Sequence, residues 1–198
     1  MSVPTASEHE LSHTSSSETT VPATLVLAPF LVALIAVLGS LWLSIGMGLK
    51  ACPLCLYQRT FIMGILAVLG VGLLTGKRHR GVLNLLALPL VVAGFGVAVF
   101  HEYLELSGKL ECPTGVMGIG TAPQQSLTVL AVLLILIVAG IVWGRKANGP
   151  SWIASVGAAV VGLLLAWGSV SSAPPMPPTP TKAYQSSLDM CRPPFLGP

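Results

Sequence analysis

The sequence predicts an all-α integral membrane protein, and three observations carry that expectation. Of 198 residues, 53% are hydrophobic and only 9% are charged, against about 25% charged in an ordinary soluble domain. Mean hydropathy is +0.82. The apolar residues gather into five long runs rather than alternating, and each run approaches the ~20 residues that a helix needs to cross the hydrocarbon core.

Taken in order, residues 1–22 are rich in Ser, Thr and Glu and hold His9 and His13, with few side chains able to pack. They read as a disordered tail. Two histidines alone fall short of a metal-ligand set. No cleavable secretory signal is expected, because the first apolar run is long, follows a tail without Lys or Arg, and lacks a small-x-small site.

The transmembrane domain spans 23–170, with helices expected over 23–48, 57–74, 82–100, 127–143 and 152–170. The second is long enough only if Leu56–Arg59 forms its first turn at the interface, where Arg59 snorkels to the headgroups. After the third comes a loop, 101–126. It opens with His101-Glu102-Tyr103-Leu104-Glu105-Leu106, which suits a short interfacial helix anchored by Leu104. Cys112-Pro113-Thr114-Gly115 and Gly118-Ile119-Gly120 follow, rich in turn formers. Gly140 and Gly144 form a Gly-x-x-x-Gly pair, read as ordinary helix packing rather than a dimer motif. Residues 171–198 form a proline-rich tail carrying Cys191. At ~3.1 Å per residue, the stretch from Val170 to Cys191 reaches roughly 65 Å.

Counting crossings sorts the cysteines. With five passes, the N-terminal tail, 75–81 and 144–151 share one side of the bilayer. Cys52, Cys55, Cys112 and Cys191 all fall on the other. The first side carries Lys77, Arg78, Arg80, Arg145 and Lys146, and the second Lys50, Arg59, Lys109, Lys182 and Arg192, a level tally. Proximity decides, because the first five lie in tight loops beside the helices, which marks that side as cytoplasmic. The sulfurs then face an oxidising compartment, where disulfides persist. Trp143, Trp152 and Trp167 sit where aromatic belts are expected. No basic cluster suggests nucleic acid.

The chemistry concentrates in Cys52-Pro53-Leu54-Cys55-Leu56-Tyr57-Gln58-Arg59. If a helix starts here, Cys52 is its N-cap and Pro53 its first residue, where a missing N–H costs nothing. Cys55 and Arg59, spaced i, i+4, share a face. The helix dipole and the guanidinium would both favour a thiolate at Cys55, the reactive form of cysteine. A static disulfide is the bland alternative for this pair. Zinc needs four ligands, which the four cysteines could supply, but the expectation is a redox pair without metal. Haem attachment in its usual form is excluded, since Leu56 and not His follows Cys55. An even count of cysteines suggests two pairs without fixing their connectivity. A structural clamp is the rival reading for Cys112 and Cys191, as interfacial anchoring is for Arg59.

This motif after a first membrane helix resembles the signature of the DsbB family, bacterial inner-membrane proteins that reoxidise the periplasmic thiol oxidase DsbA and pass electrons to quinone. The resemblance covers the first four crossings. It implies a DsbB-like four-helix transmembrane bundle, here with a fifth transmembrane helix added. It also implies a multi-pass location in the inner membrane with the cysteines facing the periplasm. By the same resemblance Cys52–Cys55 passes electrons to a bound quinone, ubiquinone or menaquinone, with Cys55 nearest its ring. Arg59 matches a quinone-binding arginine, and His101 a histidine near the quinone. Cys112 matches the loop cysteine attacked by a soluble thioredoxin-like partner of the DsbA type. The chain departs from the pattern in one respect. The loop holds only Cys112, and the mate this leaves for it, Cys191, lies beyond the fifth crossing. The implied activity is that of a membrane thiol–quinone oxidoreductase. A scaffold with structural disulfides, or a relay in the reductive or vitamin K-type direction, is the alternative.

Overall fold

The computed structural model describes residues 22–75, 80–145, 150–175, 178–185 and 188–195. The tail at 1–21 and the expected cytoplasmic cations Lys77, Arg78 and Lys146 lie outside the described residues. Five helices follow in order: α1 (Thr24–Ile45), α2 (Pro53–Thr75), α3 (Arg80–Leu106), α4 (Ala122–Arg145) and α5 (Trp152–Ser171). Each is long and apolar enough to cross a membrane. At 1.5 Å per residue they run ~30–40 Å, the thickness of a bilayer core and somewhat more. No strand is present among the described residues beyond two isolated bridges.

Helices α1 to α4 enclose one core. Val26, Ala33 and Val37 from α1 meet Ile65 and Leu69 from α2, Ala87 and Val91 from α3, and Leu130, Leu133 and Ile137 from α4. Because lipid is as apolar as these side chains, close packing rather than water exclusion holds such helices together. Small residues make that closeness possible. The face of Gly140 lies against the side chain of Asn84 on α3, so the Gly-x-x-x-Gly pair serves packing inside the chain. Helix α5 lies outside this core against α3. A Cβ added at Gly162 would stand 2.7 Å from the carbonyl oxygen of Pro89, and one at Gly96 would stand 2.8 Å from Ala166. The outward face of α5, with Ile153, Leu163, Leu164 and Trp167, is exposed, as a lipid-facing surface is.

Two differences from the sequence expectation bear on the site. Helix α2 starts at Pro53 rather than 57, so Cys52 caps it and Cys55 lies in its first turn. Helix α3 does not stop near Phe100 but continues to Leu106. Nothing between those residues breaks a helix, and Gly108 at φ +69° closes it. There Lys109 N–H donates to the Leu104 carbonyl and Gly108 N–H to that of Glu105, a Schellman cap. Leu104 is consequently buried against Cys52, Leu110, Cys112 and Cys191 rather than anchored in lipid.

The tail folds back over the same end of the bundle. Glu111 and Arg192 exchange both backbone hydrogen bonds, at 2.8 and 3.0 Å, and Lys50 N–H donates to the Asp189 carbonyl at 2.8 Å. The ion pair of Lys50 with Asp189, 3.1 Å apart, is open to solvent and adds little. The guanidinium of Arg192 stacks 3.7 Å from the Tyr184 ring centre.

Candidate active site

Four sulfurs converge at this end. Cys52 caps α2, its Sγ accepting the backbone N–H of Cys55 at 3.3 Å, with Pro53 in the first helical position where no donor is wasted. The Cys52 and Cys55 sulfurs are 2.9 Å apart and both are free thiols. Cys112 and Cys191 are joined as a disulfide, next to the Glu111–Arg192 bridge. The ligand atoms of Cys52, Cys55, His101 and Cys191 all lie within 4.8 Å of one another. A reduced pair and an oxidised pair thus sit in exchange distance.

His101 stands between the pairs. Its Nε2 is 3.8 Å from Cys52 Sγ and 3.6 Å from Cys112 Sγ, and the residue is fully buried. Its orientation is set by a short chain of polar groups. Ser126 Oγ–H donates to Gln58 Oε1 at 2.6 Å, which leaves the Gln58 amide to donate to His101 Nδ1 at 3.2 Å. A neutral ring accepting at Nδ1 carries its proton on Nε2, so the N–H points at the sulfurs. His101 does not line the cavity that Arg59 lines.

Cys52 is the acidic thiol. Its pKa is pulled from the ordinary 9.0 to about 5, chiefly by the hydrogen bond with the Cys55 thiol. Burial opposes this, while His101 and the Cys55 backbone N–H add to it. The sequence pointed to Cys55 as the favoured thiolate through Arg59. The cap geometry instead favours Cys52, because the N–H groups of the first turn point at the residue before the helix.

Arg59 is held by α1. Its Nε–H donates to Ser40 Oγ at 2.8 Å, and Nη2 donates to the Ser40 carbonyl at 3.0 Å and to Ser44 Oγ at 2.7 Å. A guanidinium has five donors, so the two on Nη1 make no hydrogen bond among the described residues. Arg59 and Cys55 line one cavity of about 300 Å³ with Ile62, Gln125 and Val129, at the small end of the range for ligand pockets. A second cavity, about 690 Å³, lies behind the cluster and is lined by Cys52, Leu104, Val170 and Tyr184. Cys191 lines both.

All six residues singled out from the sequence therefore lie at one end of the bundle. Gln58, Ser40, Ser44 and Ser126 were missed. Their signal was available, since a polar side chain in an apolar crossing needs a partner and marks function by default.

Comparison with known proteins finds a family and several relatives. The profile of the family described as "Disulfide bond formation protein DsbB" matches residues 22–128, just over half the chain and short of Cys191. A "Probable disulfide formation protein" from Coxiella burnetii is 45% identical over 97 residues, covering 49% of this chain and 63% of the relative. The chain thus spans less than two thirds of that relative's length. "Disulfide bond formation protein C" from Bacillus subtilis is 31% identical over 135 residues, covering 61% of this chain and 94% of the relative. A "Probable disulfide formation protein" from Chlamydia trachomatis is 27% identical over 119 residues, 55% of this chain and 86% of the relative. No solved structure matches the chain.

Proposed function

The chain belongs to the DsbB family of disulfide bond formation proteins, and from that membership we propose that it is a membrane thiol–quinone oxidoreductase that reoxidises a periplasmic thioredoxin-like partner. The observation that carries the reading is the buried contact between an oxidised pair, Cys112–Cys191, and a reduced pair, Cys52 and Cys55, in one cluster. A structural clamp would have no use for a free dithiol at its back.

Electrons enter at the outer pair. A thiolate of the reduced partner attacks the Cys112–Cys191 disulfide and forms a mixed disulfide, which the partner's second thiol resolves. The partner leaves oxidised, and Cys112 and Cys191 are left as thiols. When Cys52 and Cys55 are joined, Cys191 thiolate attacks Cys55 and expels Cys52, whose low pKa makes it the better leaving group. Cys112 then attacks Cys191 and expels Cys55. Two electrons have moved inward and the outer disulfide is restored. His101 Nε2–H, within reach of Cys52 and Cys112, stabilises each thiolate as it forms.

The cavity beside Cys55 fits a quinone ring. Its wall is apolar, it borders the inner pair, and Arg59 Nη1 brings donors with no other partner among the described residues to meet a carbonyl oxygen. Bound there, a quinone would accept the two electrons released as Cys52 and Cys55 close their disulfide, with protons drawn from the Cys55 thiol and from solvent. Ser40 and Ser44 fix the guanidinium in advance, so its charge is in position without reorganisation. With the cavity and all sulfurs at one end, the reading has that end facing the periplasm in the inner membrane.

The experiment is quinone reduction by the purified protein with a reduced thioredoxin-like donor. Turnover in wild type and its loss in Cys52→Ser and Cys55→Ser is the expected result. Absence of quinone consumption with ubiquinone and menaquinone alike ends the proposal.

A further inference from the structure

The sequence sets the four cysteines together as the zinc-type alternative, but the structure assembles a different donor set. We propose that the fully reduced protein binds one thiophilic divalent cation of the Zn²⁺ class through Cys52, Cys55, Cys191 and His101. The arrest of electron relay that follows rests on the oxidoreductase reading above, whereas the binding itself does not.

Geometry carries the site. Tetrahedral Zn²⁺ holds sulfur at ~2.3 Å and imidazole nitrogen at ~2.0 Å, so neighbouring donors lie ~3.5–3.8 Å apart. Here the four donor atoms fall within 4.8 Å of each other, and Cys52 Sγ and His101 Nε2 are already 3.8 Å apart. The Cys52 and Cys55 sulfurs, at 2.9 Å, need only open by about one ångström, as two thiolates around a cation do. Cys191 becomes a donor once its bond to Cys112 is reduced, and it borders cavities on both sides that leave it room to turn.

The surroundings suit the ion. Three thiolates and a neutral imidazole leave a net charge of minus one on the complex, which Arg59 on the wall beside Cys55 and Cys191 offsets. Metal-bound histidine donates its other ring N–H to an acceptor that fixes it. Gln58 supplies that acceptor by turning its amide over, after which its NH₂ donates to Ser126 Oγ, so the chain now holding Nδ1 holds it equally well in the other tautomer. The three sulfurs bind as thiolates, so binding displaces whatever protons they still carry and changes no oxidation state. Cys112 is not one of the four, although its sulfur also faces His101. Re-forming either disulfide removes a donor, so the site exists only in the reduced protein, and its ion occupies the sulfurs that must exchange.

Co²⁺ is the probe. The full chain in detergent micelles is reduced with a phosphine, desalted without air and titrated, reading ligand-field and sulfur-to-metal charge-transfer absorption. Expected is one equivalent bound with tetrahedral thiolate bands, displaced by Zn²⁺, and none bound by the oxidised protein. His101→Ala and Cys191→Ser should weaken binding by more than the roughly hundredfold that loss of an outer-shell group costs. Cys112→Ser should bind as tightly as wild type, with its Cys191 thiol already free. Absence of these bands in reduced wild type overturns the proposal without recourse to any variant. So does a Cys112→Ser protein that loses binding while His101→Ala keeps it, which would return the ligand set to the four cysteines. Metal uptake by a protein that never reduces quinone would leave this site standing and end the relay, and the converse outcome would do the reverse.

Discussion

The acidity of Cys52 gives the sharpest quantitative test, because two effects of it nearly cancel at neutral pH. With its pKa lowered from 9.0 to about 5, Cys52 should be ~99% thiolate at pH 7 against ~1% for an ordinary thiol, an expected gain of ~100-fold in reactive form. Intrinsic nucleophilicity falls with pKa at a Brønsted slope of about 0.4–0.5, so four units cost ~40–100-fold. As an attacking group Cys52 gains about twofold or less. Its advantage lies in leaving, since a stable thiolate is expelled readily. The measurable sign is in acid. Between pH 7 and 5.5 the Cys52 thiolate should fall only to ~75%, whereas an ordinary thiol loses ~30-fold. Thiolate ultraviolet absorbance of the reduced protein, taken as the difference from Cys52→Ser, follows this without a probe having to reach a buried sulfur. Cys55→Ala, which removes the largest cause of the shift, should move the midpoint up and restore the steep loss, with His101→Gln doing so to a lesser degree. A wild-type midpoint above about 8 would refute the cap-and-hydrogen-bond account.

Arg59→Ala should lower quinone reduction by ~10²–10³-fold, the usual cost of removing a preorganised charge-stabilising donor, as steady-state assays with the same donor will report; Arg59→Lys should recover only part, because a point charge cannot hold both serines and a ligand. Cys112→Ser and Cys191→Ser should each abolish oxidation of a protein partner yet leave quinone reduction by a small dithiol, which can reach the inner pair directly. Gly162→Ala forces a methyl group to 2.7 Å from a backbone oxygen of α3 that cannot yield, and should cost about 1–3 kcal/mol, read as a lowered Tm and slower formation of Cys112–Cys191 on non-reducing gels. In a cysteine-free background, an impermeant maleimide should label single cysteines introduced at the exposed positions Lys50 and Lys182 from one and the same side of the membrane; labelling of the two from opposite sides would break the relay.

The helices were legible because lipid imposes a length on each apolar run, but that run put the start of α2 at 57, and Pro53 as its first residue was read only as a condition. The end of α3 was not legible. His101–Leu106 alternates polar and apolar residues as an interfacial helix does, and its continuation depends on Leu104 finding Leu110, Cys112 and Cys191, contacts with a loop and a tail that local pattern does not encode. In the site, Cys52, Cys55 and Arg59 announced themselves by spacing along one segment. Gln58 lay inside that segment and was passed over, because its meaning comes from Ser126 and His101 on two other helices. Ser40 and Ser44 sit four apart on α1, a spacing that reads as a stripe only once Arg59 is seen against it. The two readings of the thiolate, Cys55 from spacing and Cys52 from the cap, differ for a related reason. Residue spacing describes faces of a helix, whereas the backbone donors act along its axis, toward the cap.

The backbone pairing of Glu111 with Arg192 has a bearing on every catalytic cycle. Cys112 and Cys191 are 79 residues apart, and the chain between them crosses the bilayer twice. Closing a loop of that length from a free chain costs ~4–5 kcal/mol of entropy, and an enzyme that severed its own staple each turnover would face that cost each time. The paired amides and the Lys50–Asp189 contact keep the severed ends as neighbours. In the proposed relay, rejoining is then a local event at high effective concentration, and the segment around Asp189–Arg192 works as a hinge-pin that stays seated while the bolt through it is drawn and replaced.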